Sequence, residues 1–422
     1  MTRLPRTERP PVGRQPVVRG TGGIGVPGGL RGSIAVAASL IGLAVVAAVT
    51  MVVWSRDLPF SPGSGGGPNA SGAGPIQTVS PSNVVVVPSG VPGVTVPGSL
   101  VYAKDGNVWL QSKGVATQLT NAGTDSMPTF APDGVSVYFV RTRPMRGLWG
   151  GVNYLLDVPS LMRVPVAGGD PVKVVDGLVD PAGSQRWSAF IREPAVSPDG
   201  KTVAVATDLP DPTRSDVVIK LITLATGKIT SLGMVEVPPL GHQDPAWRPD
   251  GQVLLYVLNN RDGAKGVPVI MSYSLATRKA KSVTGPGYIH PSWSPDGKYI
   301  AATRTSAFGT DVVILSATTG AEVAQLSDDG SSWAPAWSPA GNQIAFLHGE
   351  GQVVDLQMVQ ISGPAGAWAV SPVINLTSAA GLDSISRPDW FVPADQMPPP
   401  TPAPATPTPA ATAAPVATPS PS

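Results

Sequence analysis

The sequence predicts an all-β protein, a six-bladed β-propeller preceded by one N-terminal transmembrane helix. Two observations carry that expectation. A turn-and-strand pattern returns six times between residues 99 and 393, and an uncharged apolar run, Ser33–Trp54, stands before it. A third narrows it: the 422 residues include no cysteine, so an exported domain must be held by its own core, without disulfides or thiolate metal sites.

Composition supports a packed fold. Hydrophobic residues make up 42% of the chain and charged residues only 14%, which excludes a wholly disordered protein. The formal net charge of +1 hides an asymmetry. Residues 1–32, read as a cytoplasmic basic tail, hold six arginines against Glu8, a charge of +5 that leaves −4 for the rest. A folded part that is mildly acidic lacks the basic field of a nucleic-acid-binding domain.

Residues 33–54 read SIAVAASLIGLAVVAAVTMVVW, long enough as a helix to cross a bilayer core of roughly 30 Å. Arginines precede it, whereas Arg56 and Asp57 cancel just after it. The positive-inside rule therefore places the N-terminus in the cytoplasm and the remainder outside, a single-pass plasma-membrane topology with the propeller periplasmic or extracellular. A cleaved signal peptide is the competing reading; the apolar run is longer than its usual core and no A-x-A site follows.

Residues 55–98 are rich in Gly, Ser and Pro and are expected to form a flexible linker spanning roughly 35 Å. From residue 394 to 422 the chain is almost wholly Pro, Thr, Ala and Ser, which reads as a disordered tail with polyproline character that could also contact a cell wall.

Between these segments the repeat reads PTFAPDG from Pro128, PAVSPDG from Pro194, PAWRPDG from Pro245 and PSWSPDG from Pro291, with a degenerate PAWSPAG from Pro335 and a truncated PDWFVPA from Pro388. Successive spacings are 66, 51, 46, 44 and 53 residues, the period of propeller blades or helical arrays. Pro-Asp-Gly suits a tight turn, and each turn is followed by a short β-rich run such as KTVAVAT (201–207) or QVLLYVL (252–258). The stretch from Ser99 supplies three strands but no leading P-x-W strand, and Pro388-Asp389-Trp390 supplies that strand alone. Both ends of residues 99–393 thus build one composite blade, closing a ring of six and protecting the blade edges.

The P-x-W-S-P-D-G signature, with its following I-A or V-A strand, resembles the TolB-type, WD-like propeller repeat of bacterial envelope proteins. The resemblance covers about residues 99–393 and implies a six-bladed propeller with a non-enzymatic binding role. TolB itself is soluble and carries an α/β domain ahead of its propeller, whereas this chain has an apolar run and a linker there. The resemblance therefore speaks to the fold and not to a place in the Tol system.

The repeat tryptophans Trp247, Trp293, Trp337 and Trp390 recur at one blade position, which points to packing between blades over glycan stacking. The turn carboxylates Asp133, Asp199, Asp250 and Asp296 read as turn formers, because single carboxylates on separate blades do not supply the 6–8 oxygens calcium takes. The residues just before each repeat proline are more informative. Were the P-x-W strand innermost, Glu193, Asp244, His290 and Arg387, with Arg192 and His242 close by, would ring one mouth of the channel as a mixed-charge funnel. That ring could bind a peptide terminus, a charged ligand or a metal ion, or be a solvated rim of internal salt bridges. Two histidines near Asp244 do not fix a metal geometry, so neither metal nor cofactor is assigned.

The first blade carries an insertion after Arg143, PMRGLWGGVNYLLDVPS, whose Leu148, Trp149, Tyr154 and Leu155 are too apolar for an idle loop. A second loop, SQRWSAFIRE (184–193), adds Trp187 and Phe190. Loops on rigid scaffolds commonly bind partners, although this insertion could equally fold back on its own blade. No G-x-S-x-G elbow, P-loop or H-E-x-x-H is present. The sequence expectation is a non-enzymatic scaffold for an envelope protein or peptide, with a small-ligand or glycan sensor as runner-up and a propeller hydrolase or lyase third.

Overall fold

A computed structural model describes residues 86–88, 96–149, 151–180, 185–234, 241–259, 268–364 and 366–397. The predicted basic tail, the Ser33–Trp54 helix and all but the ends of the linker and the C-terminal tail lie outside these residues. Among the described residues no helix is long and apolar enough to cross a membrane.

The described chain is an all-β, six-bladed propeller. Blades are numbered here from the first complete repeat; blades 1 to 4 are four-stranded meanders in chain order, and in blade 5 the third strand, Val353–Ser362, pairs with both Ala369–Val370 and Ile374–Asn375. Blade 1 runs Asp125–Phe130, Ser136–Trp149, Val152–Pro165 and Val172–Asp176; blade 2 runs Arg192–Val196, Thr202–Thr207, Val218–Thr223 and Ile229–Ser231. Blade 3 begins at His242–Trp247, blade 4 at Tyr288–Trp293 and blade 5 at Ser332–Trp337. Blade 6 is composite. Asp389–Phe391 pairs antiparallel with Ser99–Lys104, setting Leu100 opposite Trp390, and Asn107–Ser112 and Val115–Gln118 follow. The first strand of each blade packs against those of its neighbours, and Asp389–Phe391 meets Asp125–Phe130, so the P-x-W strands line the axis and the ring is shut.

The fold reaches slightly past its expected boundaries. Val86–Pro88, inside the predicted linker, adds a fifth strand to the outer edge of blade 6 by pairing with Val115–Gln118. Ala394–Gln396 forms one 3-10 turn, and Gln396 Oε1 accepts the Gly98 amide at 2.8 Å, which ties the two ends of the domain together.

Six apolar clusters hold the ring, one between each pair of adjacent blades. The tryptophans belong to this packing. Trp247 Nε1 donates to Ala195 O and Trp293 Nε1 to Ala246 O, each on the preceding blade's inner strand, while Trp390 Nε1 donates to Pro97 O. In the turns Asp133, Asp199, Asp250 and Asp296 each accept the amide two residues on, the Asx pattern expected of turn formers.

Each of the five complete blades breaks register at the same place on its inner strand, around the residue before the repeat proline. Met127, Glu193, Asp244, His290 and Ala334 all take φ between 52° and 54° there. A bulge with one left-handed residue re-aims a side chain.

Candidate functional site

Strand order fixes which features share a side. The inner strand starts at the pre-proline residue and ends at the Pro-Asp-Gly turn, and the second strand returns. Connections between second and third strands therefore lie on the side of the pre-proline ring, and the Pro-Asp-Gly turns lie on the opposite side. The blade 1 insertion and the mouth predicted from sequence share one face.

At the mouth, the amide of each bulge residue donates to the preceding blade. The Glu193 amide donates to Met127 Sδ at 3.2 Å, the Asp244 amide to Glu193 Oε2 at 2.6 Å and the His290 amide to Asp244 Oδ2 at 3.1 Å. Thr303 Oγ1 continues the chain, meeting His290 Nδ1 at 3.2 Å and accepting the Ala334 amide at 2.9 Å. Ser386 Oγ closes it by accepting the Met127 amide at 3.0 Å. Arg387 then crosses the axis from blade 6, with Nη1 and Nη2 each 3.3 Å from the carbonyls of Pro291 and Pro245 on blades 4 and 3. Its Nε lies 4.0 Å from Asp244 Oδ1.

Glu193, Asp244, His290 and Arg387 are thus brought together as an interlocked ring with a guanidinium across it. Asp244 is only 2% exposed. Burial raises the pKa of both Glu193 and Asp244, and for Glu193 the neighbouring Asp244 charge adds to it. Burial, with Arg387 beside it, pushes His290 down to about 3, so its imidazole is neutral at physiological pH. Arg192 sits next in the strand with its guanidinium over the Phe190 ring, 5.4 Å from the centroid. His242 stands apart from the ring: it is fully buried with its imidazole 4.6 Å from the Tyr256 ring, and Nδ1 lies 3.4 Å from the Ile219 amide. Position in the repeat put His242 near the mouth, but it lies before the register break between Gln243 and Ala246 and is buried inside the blade.

Behind the ring the channel holds a cavity of about 490 Å³ walled by the repeat prolines, Trp247 and Trp293, with Arg387 and Glu193 at one end and Met397 also in its lining. Asp389, which the sequence reading passed over, lines it too. Its Oδ2 accepts the Phe130 amide at 2.8 Å and Thr129 Oγ1 at 2.9 Å, fastening the composite blade to blade 1. Burial raises the Asp389 pKa. The signal was present: Asp389 occupies the repeat position held elsewhere by Thr, Ala or Ser.

The insertion extends the blade and does not fold back on it. The strands Ser136–Trp149 and Val152–Pro165 stay paired over their whole length, so beyond Arg141 they form a two-stranded ribbon whose last pair is Trp149 with Val152. Pairing sets Met145 with Leu156 and Gly147 with Tyr154 on one face, and Arg146 with Leu155 and Leu148 with Asn153 on the other. A Cβ on Gly147 would meet Tyr154 Cζ at 2.8 Å, so the missing side chain lets the ring lie close and Tyr154 Oη reach Arg186 O at 3.0 Å. Leu148 and Arg186 exchange both main-chain hydrogen bonds, and Trp187–Ser188 pairs with Leu178–Val179. Segment 185–189 therefore touches both strands of the ribbon, pairing with Leu148 through Arg186 and reaching Asp157 O through Ser188 Oγ, with Trp187 half-buried and Phe190 donating its amide to Asp208 Oδ1 at 2.7 Å. Val152 and Leu155 stay 66% and 74% exposed. The side chain of Trp149 lies outside what is described.

The comparisons agree with this geometry. Residues 184–371 match the model of the TolB beta propeller domain. Over those residues the propeller is similar to the TolB type. The crystal structure of TolB from Acinetobacter baumannii is similar at 18% identity and a TM-score of 0.50, over 69% of this chain and 66% of that one, just under two thirds of its length. A candidate TolB from Agrobacterium tumefaciens is similar at 16% identity and a TM-score of 0.47, covering 70% and 95% of the two chains. An oligogalacturonate lyase in complex with manganese is similar at 16% identity and a TM-score of 0.38, covering 65% and 84%. These identities speak to the fold alone. No curated protein sequence matches the chain.

Proposed function

We propose that this TolB-type propeller is a membrane-anchored, extracytoplasmic scaffold that binds a protein or peptide of the cell envelope without catalysis. The observation that carries the reading is the blade 1 ribbon, which projects from the mouth face and holds Val152 and Leu155 exposed on a rigid two-stranded support. Apolar side chains presented this way are contact surface, since a partner that covers them gains their burial. The mouth supports a structural role for its own charges: Glu193 and Asp244 spend their oxygens on main-chain amides of the next blade, and His290 engages Thr303. The anchor rests on the apolar run Ser33–Trp54 and its arginine-rich flank.

A photo-reactive residue at position 155 of the full chain, in its native membrane, tests the reading. Position 135 is the control, since Val135 is 61% exposed beside a Pro-Asp-Gly turn on the opposite face. A discrete adduct at 155 that is missing at 135 is expected. Equal labelling at both positions would sink the proposal. The second reading, a small ligand in the channel, is favoured by the cavity of about 490 Å³ with Arg387 at its end. A compound that raises the melting temperature of the wild type but not of Arg387→Met would support it.

A further inference from the structure

The outer edges of the blades are guarded. Val172–Asp176 carries Lys173, Lys279–Pro286 carries Lys279 and Lys281, Glu322–Gln325 carries Glu322, and Ile229–Ser231 is only three residues long. Blade 6 is covered by Val86–Pro88, which ends in proline. Short, charged or proline-bearing edges resist pairing with another chain.

One edge breaks this rule. Among the described residues, no strand pairs with Val152–Asp157 on the side away from its hairpin partner. Its sequence, VNYLLD, is free of charge until Asp157. Strand alternation settles which groups face outward there. Pro159 O accepts the Gly177 amide and Asp157 O accepts Ser188 Oγ, both from outside the hairpin, so residues 153 and 155 also turn their amides and carbonyls outward. Leu148, opposite Asn153, turns its own pair outward to Arg186 on the other edge, as this phase requires.

We propose that the Val152–Asp157 edge is a strand-addition site, at which an extended segment of a partner protein pairs with Asn153 and Leu155. The inference rests on the partner-binding reading above and names its mode. Main-chain hydrogen bonds supply the pairing, and side chains on alternate positions supply selectivity. The added strand places an apolar residue opposite Leu155. On that same face Arg146 stands opposite Leu155 with no carboxylate partner among the described residues, so the segment also carries an acidic residue there.

Proline separates main-chain from side-chain recognition. At an outward-facing edge position it removes the amide without breaking the hairpin, so Asn153→Pro and Leu155→Pro should fold with unchanged melting temperatures. The probe is a photo-reactive residue at position 152 of the full chain in its native membrane. Both proline variants should cut the adduct at least tenfold, whereas Leu155→Ala should cut it only a few-fold. If both proline variants keep the adduct within twofold while Leu155→Asp abolishes it, strand addition is overturned and the surface reading stands. If neither position 152 nor 155 yields any adduct, both fall. An adduct of twice the chain's mass would overturn the foreign segment in favour of a second copy of this chain. The two proline positions guard against one variant misfolding.

Discussion

Trp390→Ala tests whether the propeller is closed by its composite blade. Trp390 is 5% exposed, packs in the cluster between blades 5 and 6, and donates Nε1 to Pro97 O at 2.9 Å. Burying a tryptophan removes about 200 Å² from water, worth about 5 kcal/mol, and its hydrogen bond adds about 1 kcal/mol. Partial collapse of the cavity brings the expected loss to about 4 kcal/mol, within the range for large-to-alanine core changes. At about 2 °C per kcal/mol for a domain of this size, the melting temperature should fall by about 8 °C. Hydrogen exchange gives the location. Because Ser99–Lys104 has only Asp389–Phe391 on its axial side, its amides should exchange faster in the variant before those of Thr202–Thr207 do. A fall of less than 2 °C, or exchange rising evenly around the ring, would refute closure by this strand.

Three further outcomes follow from the same geometry. Gly134 and Gly200 are equivalent turn glycines, both at φ 68°, but a Cβ on Gly134 would lie 2.2 Å from the Phe391 ring and one on Gly200 only 3.4 Å from Pro132; Gly134→Ala should therefore lower the urea midpoint clearly more than Gly200→Ala, whose cost is the left-handed strain of about 1 kcal/mol. His290 takes up a proton in the folded state only near pH 3, against 6.5 when unfolded, so between those values the unfolded chain binds more protons and stability is lost as pH falls. Asp244, Glu193 and Arg387 face His290, and the two raised carboxylates slope the opposite way, their contribution being lost as pH rises; His290→Asn should thus lose less stability than wild type between pH 7 and pH 4.5, and equal losses would refute the assignment. Glu193→Gln keeps an oxygen to accept the Asp244 amide while removing a carboxyl whose charged form burial and Asp244 disfavour, and should raise stability to urea at pH 7 by about 1 kcal/mol.

The architecture was legible because its signals are backbone signals. Pro-Asp-Gly turns mark each blade, and a lone P-D-W at the far end of the repeats declares a strand that must pair elsewhere. The bulges were not legible, since Glu193, Asp244 and His290 are ordinary residues whose left-handed backbone arises only from ring packing. Position in the repeat found the mouth residues, yet it could not tell a solvated funnel from an interlocked ring, because that turns on distances between blades. The insertion read as a binding loop on account of its apolar residues, Leu148, Trp149, Tyr154 and Leu155 among them. A Gly-Gly pair between apolar flanks is itself a hairpin signal, and the strands on either side of it are paired.

The mouth and the channel answer to different sides of the molecule. Arg387 spans the axis between blade 6 and blades 3 and 4, at the end of the cavity nearest the face that bears the ribbon. A ligand entering among the Pro-Asp-Gly turns and a partner docking on the ribbon would not touch one another. A group between the two is that guanidinium, whose two carbonyl acceptors belong to the prolines immediately after Asp244 and His290. Drawing Arg387 toward a ligand would release those carbonyls and leave Asp244 without its nearest cation, loading the cost onto the ring of inter-blade hydrogen bonds. Any coupling between the two sides therefore has to appear as a change in ring stability, and Arg387→Met should abolish it while leaving strand addition at Leu155 intact.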